Sequence, residues 1–195
     1  MTLGAIEVIS TTDRQRAVAS LTLAFSTDPV MRWGWPDQQR YLTYWPGIAD
    51  AFGGRAFDHG TAHGLENCTA VALWLPPGVK PDGETVMGLM RASMDDQTYG
   101  DIGELFEQMD EHHPTDEHWY LPLTGVDSIA QGRGLGAALL RHALKICDRD
   151  GLPAYLEATS PRSRNLYLRH GFNVVQMIQA GASPPLWAML RPPAS

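Results

Sequence analysis

The spacing of apolar and polar residues along the 195-residue chain predicts short strands and amphipathic helices in a mixed order. Apolar side chains that alternate or run together are typical of strands, and apolar residues three and four apart are typical of helices. The predicted strands are 5–10, 70–75, 118–126, 154–158, 172–179 and 186–190. The predicted helices are 12–25, one within the aromatic-rich region 25–45, two within 83–113 with a break at 99–101, 135–148, and one that begins at Pro161 and ends at Gly171. This order predicts an α/β fold with a β-α-β centre.

One strand-to-helix turn contains very few side chains. Gly132, Gly134 and Gly136 alternate between a strand that ends at Val126 and a helix that begins at Leu135. Alternating glycines allow successive backbone N–H groups to point into one concavity, and a helix N-terminus adds partial positive charge. The turn therefore predicts a phosphate-binding site.

The spacing of this turn excludes two common phosphate-binding motifs. Dinucleotide-binding turns have the pattern G-x-G-x-x-G, and P-loops have a lysine and a hydroxyl after the glycines. The segment 131–137 reads QGRGLGA and has neither feature. A glycine-rich connection that serves only close packing is the remaining alternative.

Composition favours one globular domain in a reducing compartment. Hydrophobic residues make up 44% of the chain, charged residues make up 19%, and two cysteines lack metal-like spacing. The net charge of −7 argues against a nucleic-acid partner. The apolar runs are too short to span a bilayer, and residues 1–10 lack the features of a cleavable signal. We therefore expect a cytoplasmic protein with no membrane or nucleic-acid partner.

A cluster of histidines and carboxylates precedes the strand at 118–126. Pro114 interrupts any helical face on which these side chains could converge, so we expect a solvated connection and no metal site. His118 is a minor candidate for proton transfer. The cluster consists of His112, His113, Asp116, Glu117 and His118.

With its flanking strand and helix, the glycine turn resembles the Q/R-x-x-G-x-G/A acyl-CoA signature of the GNAT N-acetyltransferases. Gln131, Gly134 and Gly136 occupy the fixed positions of the signature, and Ala137 follows them. The resemblance implies a mixed, mostly antiparallel central sheet flanked by helices, with a splayed strand pair that binds acyl-CoA. It also implies acetyl-CoA as co-substrate, no metal, and acetyl transfer to the primary amine of a small molecule by direct attack in a ternary complex.

The order of elements is similar to the branch of this family that contains puromycin N-acetyltransferase. That resemblance rests on Asp28-Pro29 after a helix end, on Leu156-Glu157, and on Tyr167 before Gly171-Phe172. It implies one N-acetyltransferase domain, 1–195. The domain divides into an acceptor side at 1–69, a helical insert at 79–117, an acetyl-CoA-binding core at 118–172 and closing strands at 173–195.

The strand before the turn contains residues that loosen strand pairing. Pro122 removes a ladder donor, and Gly125 permits a bulge. An edge strand that tolerates a proline is the alternative. By resemblance, the backbone of the loosened strand binds the cofactor and stabilises an oxyanion. The cofactor-binding residues implied by the family are Thr124, Gly125, Val126, Gln131, Gly132, Arg133, Gly134, Leu135, Gly136, Ala137 and Ser163, of which Ser163 occupies a position where the branch has asparagine.

Two side chains are candidates for catalysis. Tyr167 is implied as the general acid that protonates the departing thiolate, and packing of its ring on the sheet is the alternative. Glu157 ends a strand, where open α/β sheets present groups to ligands. It is a candidate general base or amine anchor, and a carboxylate held by backbone donors or Arg162 is the alternative.

Aromatic residues before the turn suggest an apolar acceptor site, although aromatics at these spacings also build cores. The candidate substrate-binding residues are Asp28, Trp33, Trp119 and Tyr120. The sequence leaves open which amine is the acceptor and whether the protein forms a homodimer. It also leaves open two other functions: a CoA-binding sensor without turnover and an acetyltransferase that acts on a protein amine.

Overall fold

A computed structural model describes residues 4–194. Residues 1–3, which belong to the segment without signal features and to the start of the predicted domain, lie outside the described residues. Residue 195, at the end of that domain, lies outside them as well. The strands are β1 (Glu7–Val8), β2 (Ala62–Leu65), β3 (Ala70–Leu75), β4 (Trp119–Val126), β5 (Ala154–Ala158), β6 (Asn173–Ile178) and β7 (Leu186–Arg191). The α-helices are α1 (Arg14–Phe25), α2 (Pro29–Gly34), α3 (Gln38–Gly53), α4 (Arg55–Asp58), α5 (Gly83–Ser93), α6 (Asp96–His112), α7 (Leu135–Asp150) and α8 (Pro161–Leu168).

The described strands form one mixed sheet in the order β1-β2-β3-β4-β5-β7-β6. Every neighbouring pair is antiparallel except β4 and β5, which are parallel. Helices cover both faces: the core on one face contains side chains of α1, α3, α5 and α6, and the core on the other contains those of α7 and Tyr167 of α8. The predicted mixed, mostly antiparallel sheet flanked by helices is confirmed.

The parallel pair β4 and β5 separates soon after it begins. Its ladder joins Trp119 to Ala154 and Tyr120 to Tyr155, and no further residues of the pair are in register. On the other edge of β4, Leu121 and Pro122 together stand opposite Trp74, which defines a bulge. The predicted splay is confirmed, but the bulge lies at the proline. Pro122 cannot donate a ladder hydrogen bond, so the irregularity falls there.

Gly125 has a different role from the predicted one. It remains in register with Val71 of β3. A Cβ atom at this position would lie 2.6 Å from the Ala24 Cβ and 3.2 Å from a methyl group of Leu21. The missing side chain therefore allows α1 to pack closely on β4.

We expect Gly125→Ala to lower the free energy of unfolding by about 1–3 kcal/mol, because the added methyl group would overpack the contact with Ala24. Urea denaturation at equilibrium measures the change. Gly136→Ala is the matched control, since a Cβ atom there would meet Val126 at an ordinary 3.5 Å. Equal unfolding midpoints for the two variants would contradict this account of Gly125.

Three local predictions were wrong. The break between α5 and α6 lies before Asp95, not at 99–101, because the Asp95 carboxylate caps α6 by accepting a bond from the Thr98 N–H. Gly100 lies inside that helix, where one glycine costs only about 1 kcal/mol. The region 25–45 contains α2 and the first half of α3 rather than a loop and one helix. Strand β2 was not predicted, since its four residues neither alternate nor favour strands.

Within residues 4–194, no helix has both the length and the apolar character needed to cross a bilayer. The thiols of Cys68 and Cys147 are both free and buried. Cys147 packs in the core beneath α7, as its position on the apolar face of that helix predicts.

Candidate active site

A cavity of about 690 Å³ opens where β4 and β5 part. The glycine turn, the C-terminal half of β4 and α8 line one side of it, and α3, α5 and α6 line the other. Glu157 and Thr159, at and just after the end of β5, lie between the two sides. The volume is typical of small-molecule sites, which are also usually apolar with a few convergent polar groups.

The glycine turn presents free backbone amides to this cavity. Gly132 and Gly134 have φ values of +79° and +82°, and no atom lies within 4 Å of where their Cβ atoms would be. No side chain caps α7, and its first backbone bond is donated by Ala138 to the Gly134 carbonyl. The N–H groups at 135–137 are therefore available to an anion from outside the helix. This geometry fits the diphosphate of coenzyme A.

Side chains around the turn brace it. The Gln131 amide donates to the Val126 carbonyl at 3.2 Å, and Arg162 of α8 donates to the Gln131 oxygen at 2.8 Å. Arg133 forms a 2.8 Å ion pair with Glu66 and does not line the cavity. The anion-binding capacity of the turn therefore resides mainly in its backbone.

The free edge of β4 also presents amides. The Asp127 N–H donates to the carbonyl of Thr69, which directly precedes β3, at 2.9 Å, and hydrogen-bonding direction alternates along an antiparallel strand. The N–H groups of Thr124 and Val126 consequently face the gap towards β5. Gly125, between them, directs its N–H to β3.

Glu157, near the end of β5, is one of two carboxylates that line the cavity, with Asp28. Its Oε2 accepts a 2.8 Å hydrogen bond from the Tyr120 hydroxyl, whereas its Oε1 is buried and has no partner at hydrogen-bonding geometry among the described residues. Burial raises the pKa of Glu157 to about 7, and the hydroxyl groups of Tyr120 and Tyr155 oppose that rise. A carboxylate with a free oxygen and such a pKa can both accept and release a proton near neutral pH.

We expect Tyr120→Phe to raise the pKa of Glu157 by about one unit, because the lost hydrogen bond favours the ionised carboxylate. An NMR titration of the labelled Glu157 carboxyl group measures this shift. Leu121→Val, a small change at a neighbouring buried position with no hydrogen-bonding group, is the control. An unchanged Glu157 titration in Tyr120→Phe would show that the phenol does not tune this group.

Tyr167, in α8, lines the same cavity as Glu157. Its ring packs against Phe172 with centroids 5.8 Å apart, and burial raises the pKa of its phenol. The hydroxyl therefore stays protonated at neutral pH and can donate a proton. Packing and proton donation are compatible at this position.

Asp28 and Ser163 line the cavity and also cap helices. The Asp28 Oδ1 accepts from the N–H groups of Val30 and Met31, and its other oxygen accepts from Thr159. Ser163 forms a reciprocal capping box with Ser160 at the start of α8. Burial raises the pKa of Asp28, which its hydrogen bonds oppose.

The structure does not bring all of the predicted substrate residues to the cavity. Trp33, in α2, is half-buried against the core, and Trp119 packs on the opposite face of the sheet with its indole N–H bonded to Asp150. Tyr120 lies behind Glu157 and acts on the cavity through it. Sequence analysis missed Thr159 and the apolar wall from α5 and α6, since no local pattern shows which helix faces enclose a cavity.

The histidine cluster is only in part the solvated connection that was predicted, since Asp116 and Glu117 are exposed whereas His113 and His118 are half-buried. The ring of His113 packs edge to face on Tyr120 and Tyr155, at 4.9 and 4.7 Å between centroids. Its Nε2 lies 3.0 Å from the Nε2 of His118, and burial lowers the pKa of His113 to about 4. Pro114 follows the end of α6, and the chain then turns into β4 so that the rings of His113 and His118 pack on Tyr155 of the sheet. In the described part of the chain, no three metal-binding side chains converge.

Comparisons with known proteins agree with this geometry. An N-acetyltransferase of Schizosaccharomyces pombe is 38% identical over 81 residues, which span 40% of this chain and only about a third (33%) of that relative. A crystal structure described as histone acetyltransferase HPA2 and related acetyltransferase, from Corynebacterium glutamicum, is 25% identical, with a TM-score of 0.68 and coverage of 100% of this chain and 98% of the other.

A Drosophila melanogaster polyamine N-acetyltransferase that forms N-acetylagmatine has the same fold. Its TM-score is 0.66 at 14% identity, and the match covers 96% of this chain and 99% of the other. The sequence profile of the acetyltransferase (GNAT) family matches residues 29–172, which include the turn, the splayed strands, Glu157 and Tyr167. The chain therefore belongs to the acetyltransferase (GNAT) family.

Proposed function

We propose that the protein is an acetyl-CoA-dependent N-acetyltransferase that acetylates the primary amine of a small molecule by direct attack in a ternary complex. The observation that carries this proposal is one cavity lined both by the free backbone amides of the glycine turn and by Glu157, whose buried Oε1 has no hydrogen-bond partner among the described residues. The resemblance to the puromycin N-acetyltransferase branch remains a prediction within this proposal.

Two sets of backbone groups would hold acetyl-CoA. The N–H groups at the start of α7 would bind the diphosphate, and the free edge of β4 would bind the pantetheine arm between the parted strands. When bound, acetyl-CoA supplies an acetyl group activated as a thioester. The N–H groups of Thr124 and Val126 would stabilise the negative charge that develops on the carbonyl oxygen.

Proton transfer would involve two side chains of this chain. Glu157 would take a proton from the acceptor amine, either directly or through a water molecule, so that the nitrogen can form the new C–N bond. As the C–S bond breaks, Tyr167 would give its phenolic proton to the departing thiolate. The partly free Glu157 carboxylate and the protonated Tyr167 phenol suit these opposite roles.

The alternatives differ from this proposal in testable ways. A CoA-binding sensor would bind the coenzyme without turnover, and an acetyltransferase for protein amines would prefer a peptide. The retention of Glu157 and Tyr167 in one cavity favours turnover over sensing. The enclosure of the acceptor side by α5 and α6 favours a small molecule over a polypeptide.

The test combines calorimetry with coenzyme A and a thiol-release assay with acetyl-CoA and a panel of amines. We expect saturable coenzyme binding and amine-dependent thiol release. Coenzyme binding without release for any amine would favour a sensor, and absence of coenzyme binding would overturn the proposal.

For the same reaction, we expect Tyr167→Phe to lower kcat by about 100-fold, since it removes the proton donor but keeps the ring that packs on Phe172. Thiol release at saturating substrates measures kcat. Phe172→Leu, which alters the same packing contact without removing a proton donor, is the control. Wild-type turnover by Tyr167→Phe would leave the tyrosine with a packing role only.

A further inference from the structure

The acceptor side of the cavity is almost entirely apolar. It extends from Glu157 to the inner faces of α3, α5 and α6, which enclose it above the sheet. Aromatic rings form part of this wall, and those of Phe52 and Phe106 lie edge to face with centroids 6.2 Å apart. The partly exposed residues of this wall are Phe52, Phe106 and Met109. Buried core residues lie behind them, namely Trp45, Ile48, Val86, Met90, Ile102 and Leu105.

Charge on this side is confined to one end. Among the residues that line the cavity, the carboxylates are Glu157 and Asp28, and the arginines are Arg162 of α8 and Arg169, which directly follows α8. The oxygens of Asp28 already accept bonds from the α2 cap and from Thr159. Glu157 therefore offers the free acceptor for one ammonium group, and the wall formed by α5 and α6 offers none for a second.

We infer that the acceptor is a singly charged primary amine on an apolar body, of the alkylamine or arylalkylamine class, rather than a polyamine or a peptide. This inference rests on the proposed function. The ammonium group would lie at Glu157, and the apolar body would lie against the wall of α3, α5 and α6. A second ammonium group, or the peptide groups of a polypeptide, would lose water there without gaining a polar partner.

The test uses acceptors matched in length. Hexylamine and hexamethylenediamine differ only in the distal ammonium group, phenethylamine adds a ring, and a short apolar peptide adds backbone amides. We expect kcat/KM for hexylamine and phenethylamine to exceed that for hexamethylenediamine and the peptide by about 100-fold. A higher kcat/KM for the diamine or the peptide would overturn the inference. Thiol release with those acceptors would still support the proposed function.

A variant tests the wall directly. Met109→Glu places a carboxylate on the part of the wall that α6 forms. We expect it to raise the ratio of kcat/KM for the diamine to kcat/KM for hexylamine by about 10-fold or more. Leu42→Glu is the control, because Leu42 is 49% exposed on α3 and does not line the cavity. An equal ratio in both variants would show that the acceptor does not reach this wall.

A binding measurement separates failure of the inference from failure of the proposed function. Calorimetry with the protein saturated with coenzyme A reports amine binding without turnover. Stronger binding of hexylamine than of hexamethylenediamine supports the inference even if no thiol is released, whereas absence of saturable hexylamine binding overturns it. Absence of coenzyme binding, by contrast, overturns the proposed function.

Discussion

Glu157→Gln is expected to lower kcat/KM by about 10²–10⁴-fold, because glutamine cannot accept the amine proton. Glutamine has nearly the same shape as glutamic acid and can still accept the bond that Tyr120 donates to Oε2. The loss would therefore report proton transfer rather than a rearranged cavity. Kinetic analysis of thiol release with saturating acetyl-CoA measures the effect.

The pH dependence of kcat/KM distinguishes the loss of a general base from other causes of low activity. With the pKa of Glu157 at about 7, the ionised base becomes scarcer below neutrality. For an acceptor whose amine stays protonated between about pH 5 and about pH 8, wild-type kcat/KM should fall about tenfold per pH unit below 7 and level off above it. Glu157→Gln should lack this step. Unchanged turnover of the variant across this range would remove Glu157 from the mechanism.

Stability supplies the control for folding of this variant. Because burial raises the pKa of Glu157 from 4.5 to about 7, the unfolded chain loses this proton at lower pH than the folded chain does. The wild type should therefore lose stability relative to Glu157→Gln as pH rises from 4.5 to about 7, by up to about 3 kcal/mol. A variant that is more stable above neutral pH but nearly inactive would be well folded and lack only its base.

Gly134→Val is expected to weaken coenzyme A binding by about 100-fold, which corresponds to about 2.7 kcal/mol. Gly134 has a φ of +82°, and the space in front of it is open to the cavity. Valine would place two methyl groups where the diphosphate would approach the amides of α7, and would resist the left-handed conformation of the turn. Calorimetric titration with coenzyme A measures the change.

Gly78→Val separates the two causes. Gly78 has nearly the same conformation, with a φ of +80° and no atom within 4 Å of a Cβ, but it lies in the turn after β3 and does not line the cavity. Both variants should lose about 1–3 kcal/mol of unfolding free energy through backbone strain. Equal coenzyme affinities for the two would show that the turn at Gly134 does not bind the diphosphate.

Most elements could be predicted from sequence because their signals are local. The helix α7 has an apolar stripe and ends at Gly151 in the left-handed conformation, and α8 begins at Pro161 after a serine cap. The errors arose where two local signals competed. Gly100 suggested a break, but the cap at Asp95 and the packing of α6 determined where that helix begins.

The parts of the site that depend on local backbone conformation could be predicted from the sequence. The alternating glycines of the turn indicate free amides in any fold that places a helix after them, and Glu157 ends a strand wherever that strand lies. The roles of Gly125 and Tyr120 were not predictable, because the first depends on the approach of Ala24 from α1 and the second on the register between β4 and β5.

The sequence alone thus determined the order of most elements, the conformation of the glycine turn and the residue types able to move a proton. Only the tertiary structure decided that Pro122 bears the bulge, that β4 and β5 part after Tyr120, and that α3, α5 and α6 enclose an apolar space next to Glu157. The physical reason is one of range. Glycine conformation and helix caps depend on neighbours a few residues away, whereas strand separation, cavity walls and the pKa of a buried carboxyl group depend on segments that meet only when the chain has folded.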